Sequence, residues 1–183
     1  MKIFFIRVCV ILILVFLEVS FFNVLFSTTP APLILIASVV AWVLIVGFSQ
    51  ALYMLIPLAL LFDIVTMGVL GAFSLYALLL AYTTSFISRR FLVEYHGIGM
   101  VPYAFFVGIG AIGYACFNIL FFQADLWSRG IDVFFDLAPV FSVSKIGFSF
   151  ILGPLFFLGI YHGIDRLEKY ISVITQRAMT PIK

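Results

Sequence analysis

Apolar runs of about twenty residues recur from one end of this chain to the other, and only short connections separate them. Such a run crosses the ~30 Å hydrocarbon core of a bilayer as an α-helix. A β-barrel would instead show ~10-residue segments of alternating polarity, whereas the stretch from Leu33 to Phe62 holds no charged residue at all. Composition agrees: 65% of the 183 residues are hydrophobic and 10% are charged, against about 25% charged in soluble domains. The expected fold class is therefore all-α, a polytopic membrane protein forming a single domain over residues 1–183.

Six spans are expected, at about 3–22, 33–47, 50–66, 68–88, 100–122 and 145–164. The start resembles a signal peptide, with Lys2 and Arg7 before an apolar run. That run continues to Phe22 and contains Glu18, with no small-residue cleavage pattern before Ser27, so an uncleaved first span is expected. Pro30 and Pro32 break this span from the next. Leu33–Phe62 is divided at Gly47-Phe48-Ser49-Gln50. The second span is then only about 22 Å long and must thin the bilayer or be shielded by its neighbours. Pro57 is expected to kink the third. With the N-terminus inside, Lys2, Arg7, Arg89, Arg90, Arg166, Lys169, Arg177 and Lys183 fall on the cytoplasmic side, and only Arg129 and Lys145 outside. This bias predicts both termini in the cytoplasm and supports the division of Leu33–Phe62.

The segment Gln50–Arg90 is the expected frame of the molecule. Within it, Asp63 is a carboxylate in an apolar setting, which is costly unless it has a partner or a task. Gly68 and Gly71 mark a tight turn after it. Near a helix C-terminus the macrodipole disfavours Asp63, leaving two readings: bonds to amides of its own turn, or an interaction point for another membrane protein. Arg129 and Lys145 are the outer-side cations available to it. Glu18 sits three turns after Arg7 in the first span, too far for the two to pair. Ser74, Ala77, Ala81, Thr84 and Ser88 form one stripe of small residues; Ala104, Gly108, Ala111 and Ala115 form another, ending at Asn118 as a candidate interhelical hydrogen bonder. The stripes predict that the fourth and fifth spans pack together.

Catalytic patterns are missing. The chain has no HExxH, P-loop or GxGD motif, and Gly71-Ala72-Phe73-Ser74 lacks the form of a membrane serine-protease turn. His162, Asp165 and Arg166, like Glu94 and His96, read as solvated boundary residues. Cys9 and Cys116 lie in apolar spans without metal spacing and read as small hydrophobes. No enzyme activity, cofactor or metal is expected, and a net charge of +2 gives no case for nucleic acid. Ile131, Phe134, Phe135 and Ala138 suggest a short amphipathic surface helix, with Trp127 as an interfacial anchor. The residues after Ile164 suggest a basic interfacial tail.

The layout resembles the bacterial rod-shape-determining MreD family. The resemblance rests on Leu60-Leu61-Phe62-Asp63, then Leu70-Gly71-Ala72-Phe73-Ser74-Leu75 and Arg89-Arg90, with Pro32-Leu33-Ile34-Leu35 as a proline-led start of the second span. It departs from the family pattern before Asp63, where Ala51, Pro57 and Ala59 replace a glycine-rich stretch. The resemblance implies a non-enzymatic inner-membrane scaffold of cell elongation and peptidoglycan synthesis. Its implied partners are an MreC-like membrane protein and, through it, an MreB-like filament and the peptidoglycan synthases. The fold it implies also resembles the substrate-binding subunits of energy-coupling-factor transporters, which supplies the rival reading of a vitamin-binding subunit. The first span lacks the small-residue stripe expected for transporter docking, and outer-side polar residues are few.

Overall fold

A computed structural model describes residues 2–22, 32–66, 71–91, 100–131 and 143–179. Its elements are helical, with no strand among the described residues. They are α1 (Lys2–Phe16), which runs into a π-helical stretch Leu17–Phe22, α2 (Leu33–Val46), α3 (Phe48–Thr66), α4 (Ala72–Phe91), α5 (Val101–Ser128) and α6 (Val143–Met179). Helix α3, helix α5 and residues Ser149–Val173 of α6 are each long and apolar enough to cross a membrane. Gly68, Glu94, His96 and most of the expected amphipathic surface helix lie outside the described residues.

The bundle is built around α2. Every residue from Leu33 to Leu44 is buried, and α2 packs against all five other helices. Its sequence, LILIASVVAWVLIV, is apolar on every side, the pattern of a helix enclosed by protein. Trp42, Leu35, Ile36, Val39 and Val40 are wholly inaccessible. The shortness of this helix is therefore accommodated by shielding. The Gln50–Arg90 hairpin, expected to be the frame, is one layer of the shell around α2.

Helices α2 and α3 are separated by Gly47 alone, not by a four-residue break. Gly47 has φ 82° and ψ 162°, a region in effect reserved to glycine, where another residue costs on the order of 1–3 kcal/mol. Its N–H bonds back to Val43 and its carbonyl accepts from Ala51, so one residue reverses the chain without stranding the backbone. Helix α3 then continues through Pro57. Helix α4 begins at residue 72 rather than 68, α5 extends to 128, and α6 is a single helix through 179.

The expected tail after Ile164 is thus the continuation of α6, about 55 Å long in all at ~1.5 Å per residue, and it is docked on protein. Ile164 and Ile171 are buried, and the Glu168 carboxylate accepts a hydrogen bond from Arg7 of α1 at 2.9 Å. Arg7 thus pairs across helices, from α1 to α6. Both side chains are largely shielded, which makes removing either partner more damaging than breaking a surface pair.

The small-residue stripes pack differently from expectation. Gly108 of α5 faces α6: a Cβ there would lie 3.1 Å from the Ser149 carbonyl oxygen, and a Cβ on Gly153 would lie 3.2 Å from the Gly108 nitrogen. The close backbone approach therefore joins α5 to α6. Helices α4 and α5 meet through Tyr76, whose hydroxyl donates to the Gly110 carbonyl and covers Gly113. In the α4 stripe, Ala77, Ala81 and Thr84 are buried, and Ser74 and Ala77 line a small apolar space shared with Leu55, Ile56, Ala59 and Leu60 of α3. Replacement of Gly153 by leucine is expected to destabilise the protein by at least about 1–3 kcal/mol through overpacking. Gly159→Leu is expected to be near neutral, because a Cβ there meets nothing within 4 Å. Thermal unfolding in detergent distinguishes them; equal midpoints would exclude the α5–α6 contact.

Candidate functional site: two buried carboxylates at helix N-termini

Asp63 and Glu18 are the buried charged side chains among the described residues, 5% and 3% exposed. Each lies near the end of one helix and binds the beginning of the next. Asp63 projects from the last turn of α3 to the first turn of α4. One carboxylate oxygen accepts from the Phe73 N–H at 3.0 Å; the other accepts from the Ser74 N–H at 3.0 Å and from the Ser74 hydroxyl.

The local sequence explains this demand. An α-helix leaves its first N–H groups without intrahelical partners. A Ser, Thr, Asp or Asn at the cap position commonly supplies one acceptor. Here Gly71 precedes the helix, with φ +90°; it makes the turn but has no side chain to offer. Asp63 supplies both oxygens from the preceding helix. Its position relative to its own helix dipole is unfavourable, but the positive end of α4 offsets this.

Glu18 repeats the device. It lies in the π-helical stretch that ends the first helix, and its carboxylate accepts from the Ile34 N–H at 2.9 Å. Helix α2 is preceded by Pro32 and has no side-chain cap of its own. The central helix is thus held at its N-terminus by a carboxylate from the π-helical stretch that follows α1.

Aromatic rings enclose the Asp63 cap. Phe62 and Phe73 meet edge to face at 4.8 Å, Phe73 and Tyr114 at 5.5 Å, and Tyr114 and Tyr76 at 5.4 Å. Tyr114 of α5 lies within electrostatic range of both carboxylates, so the two caps belong to one end of the bundle. The enclosure keeps water from competing for the amides, which strengthens the bonds and raises the penalty for breaking them.

The remaining candidates stand apart. Asn118 is half-buried on α5 and makes no hydrogen bond among the described residues. Arg129 pairs with Asp125 at 2.9 Å on its own helix, not with Asp63. His162 is exposed and bonds the Leu158 carbonyl, while Asp165 pairs with Lys169. Among the described residues no cluster of His, Cys, Asp or Glu is disposed to hold a metal.

The Glu18 cap was not read from the sequence, although a signal for it exists. Two helix starts that lack a side-chain cap, Pro32-Leu33 and Gly71-Ala72, each follow an apolar helix containing a single acidic residue near its C-terminal end. Comparison with protein-family models, with curated proteins and with solved structures finds no match for this chain.

Proposed function

We propose that this chain is a non-enzymatic membrane scaffold of the bacterial cell-elongation machinery, resembling the MreD family. The observation that carries the reading is the use of the buried carboxylates. Both are consumed in capping helices, so the polar chemistry of the core holds the bundle together and leaves neither group open to a substrate. The motif around Asp63 that underlies the family resemblance is thereby given a physical role, as the joint between α3 and α4. The proposed setting is the inner membrane with both termini in the cytoplasm. The placement of Arg7 and the paired Arg89-Arg90 at the end of the bundle away from the caps supports this orientation. The proposed partner is an MreC-like membrane protein, linking the chain to an MreB-like filament and the peptidoglycan synthases.

The rival, a vitamin-binding subunit with a fold like those of energy-coupling-factor transporters, needs convergent polar groups in a pocket. The groove between α4 and α5 is almost wholly apolar. The test is depletion of the protein from its native cell, with affinity purification of the tagged chain. Rounding of the cells, together with co-purification of the MreC-like protein, is expected. Normal cell shape and a stoichiometric vitamin in the purified sample would overturn the proposal and establish the rival.

A further inference from the structure

Helices α4 and α5 do not close against each other along their whole length. Between them lies a groove of about 490 Å³, walled by Leu79 and Ile87 of α4 and by Phe106 and Ile109 of α5. Gly110 and Gly113 of α5 line it and put no side chain of their own into it. The hydroxyl of Tyr76, one of the few polar groups at its edge, is engaged by the Gly110 carbonyl. From Tyr76 to Ile87 the groove follows α4 for about 16 Å at ~1.5 Å per residue, the scale of a hydrocarbon chain.

Arg89 and Arg90 follow Ile87 and Ser88, in the last turn of α4. Both are exposed. Neither is paired with a carboxylate among the described residues; the Arg90 guanidinium lies 4.9 Å over the Phe86 ring, which fixes its direction. Arg90 continues the groove face of Leu79, Thr83 and Ile87 at 3.6 residues per turn, with Arg89 beside it on the next face, and an apolar trough leading to a guanidinium matches an amphiphile with an acyl chain and an anionic head. Arginine presents donors in a fork suited to phosphate oxygens.

We propose that the α4–α5 groove is a binding site for an anionic phospholipid, with one acyl chain between Leu79 and Ile109 and its phosphate on Arg89 and Arg90. The site does not depend on the scaffold reading. Its occupant is a bilayer lipid, because the groove supplies apolar wall over most of its length and charge only at one end. A soluble phosphate compound would leave the wall unfilled.

The test is native mass spectrometry of the detergent-purified protein with phosphatidylglycerol and with phosphatidylcholine of the same chains. Preferential retention of phosphatidylglycerol is expected. Arg89→Gln combined with Arg90→Gln is expected to remove that preference, at about fivefold for each arginine. Thr83→Trp, which places an indole in the groove, is expected to lower retention of both lipids. Glycerol 3-phosphate, the head group without a chain, is expected not to displace the bound lipid. Equal retention of the two lipids by the wild type, or an unchanged preference in the double arginine variant, would overturn the site. The arginine variant keeps the test decisive if Thr83→Trp does not fold, because both its changes are at exposed positions.

Discussion

Asp63→Ala is expected to destabilise the protein by about 2–6 kcal/mol, from about 1–3 kcal/mol for each of two backbone donors left without an acceptor. The donors are the Phe73 and Ser74 N–H groups, and the ring cluster of Phe62, Phe73 and Tyr114 excludes the water that would otherwise replace the carboxylate. The asparagine variant is the more informative one. Asp63 uses both oxygens as acceptors, whereas asparagine has one acceptor oxygen and an NH₂ that can only donate. One amide of α4 would then face a donor. Asp63→Asn is expected to lose about 1–3 kcal/mol, less than alanine but well short of neutral. Ser74→Ala removes a single hydroxyl bond and is expected to cost about 1 kcal/mol. Denaturant unfolding in detergent should therefore rank the variants wild type, Ser74→Ala, Asp63→Asn, Asp63→Ala in falling stability. Wild-type stability for both Asp63 variants would mean that the carboxylate is not what holds the start of α4.

The same residue shows what the sequence made legible. An isolated acid in an apolar run announces a buried partner, and the turn glycines announce a reversal, so the existence of a bond at Asp63 followed from local chemistry. Its address did not. Judged against its own helix, Asp63 sits at the unfavourable end of a dipole; only the tertiary return of the chain puts it at the favourable end of the next. Helix positions were legible because hydrophobic runs and Gly or Pro breaks are local signals. The centrality of α2 was partly written in its sequence, since a helix apolar on all faces has nowhere to go but inside. The pairing of α5 with α6 was not, because two stripes of small residues define surfaces fit for close approach without saying which surface meets which. The Arg7–Glu168 pair joins residues at opposite ends of the chain. Its long separation in sequence hid it, since nothing local to Arg7 points to a partner near the other end of the chain.

Glu18 offers a sharper test, because its cap differs from that of Asp63 in one respect. Its close bond is to a single amide, Ile34 N–H at 2.9 Å, so a glutamine can keep that bond with its own oxygen. What glutamine loses is the charge facing the N-terminus of α2, a term of about 0.3–2 kcal/mol for a partly or fully shielded carboxylate at a helix start. Alanine loses the bond as well and strands the Ile34 donor, adding about 1–3 kcal/mol. The expected order is a modest loss for Glu18→Gln and a severe one for Glu18→Ala. At Asp63, the amide variant should instead stand clearly below wild type. The consequence for Glu18→Ala should also spread further than that for Asp63→Ala, since α2 touches every other helix. Hydrogen exchange in lipid nanodiscs can read this: Glu18→Ala should raise exchange along α2 and in the helices packed on it, whereas Asp63→Ala should raise it mainly at the α3–α4 joint. If Glu18→Gln proves as damaging as Glu18→Ala, the carboxylate acts through its charge and not through the Ile34 bond. If neither variant disturbs α2, the central helix holds its place by packing alone, and the capping role assigned to Glu18 fails.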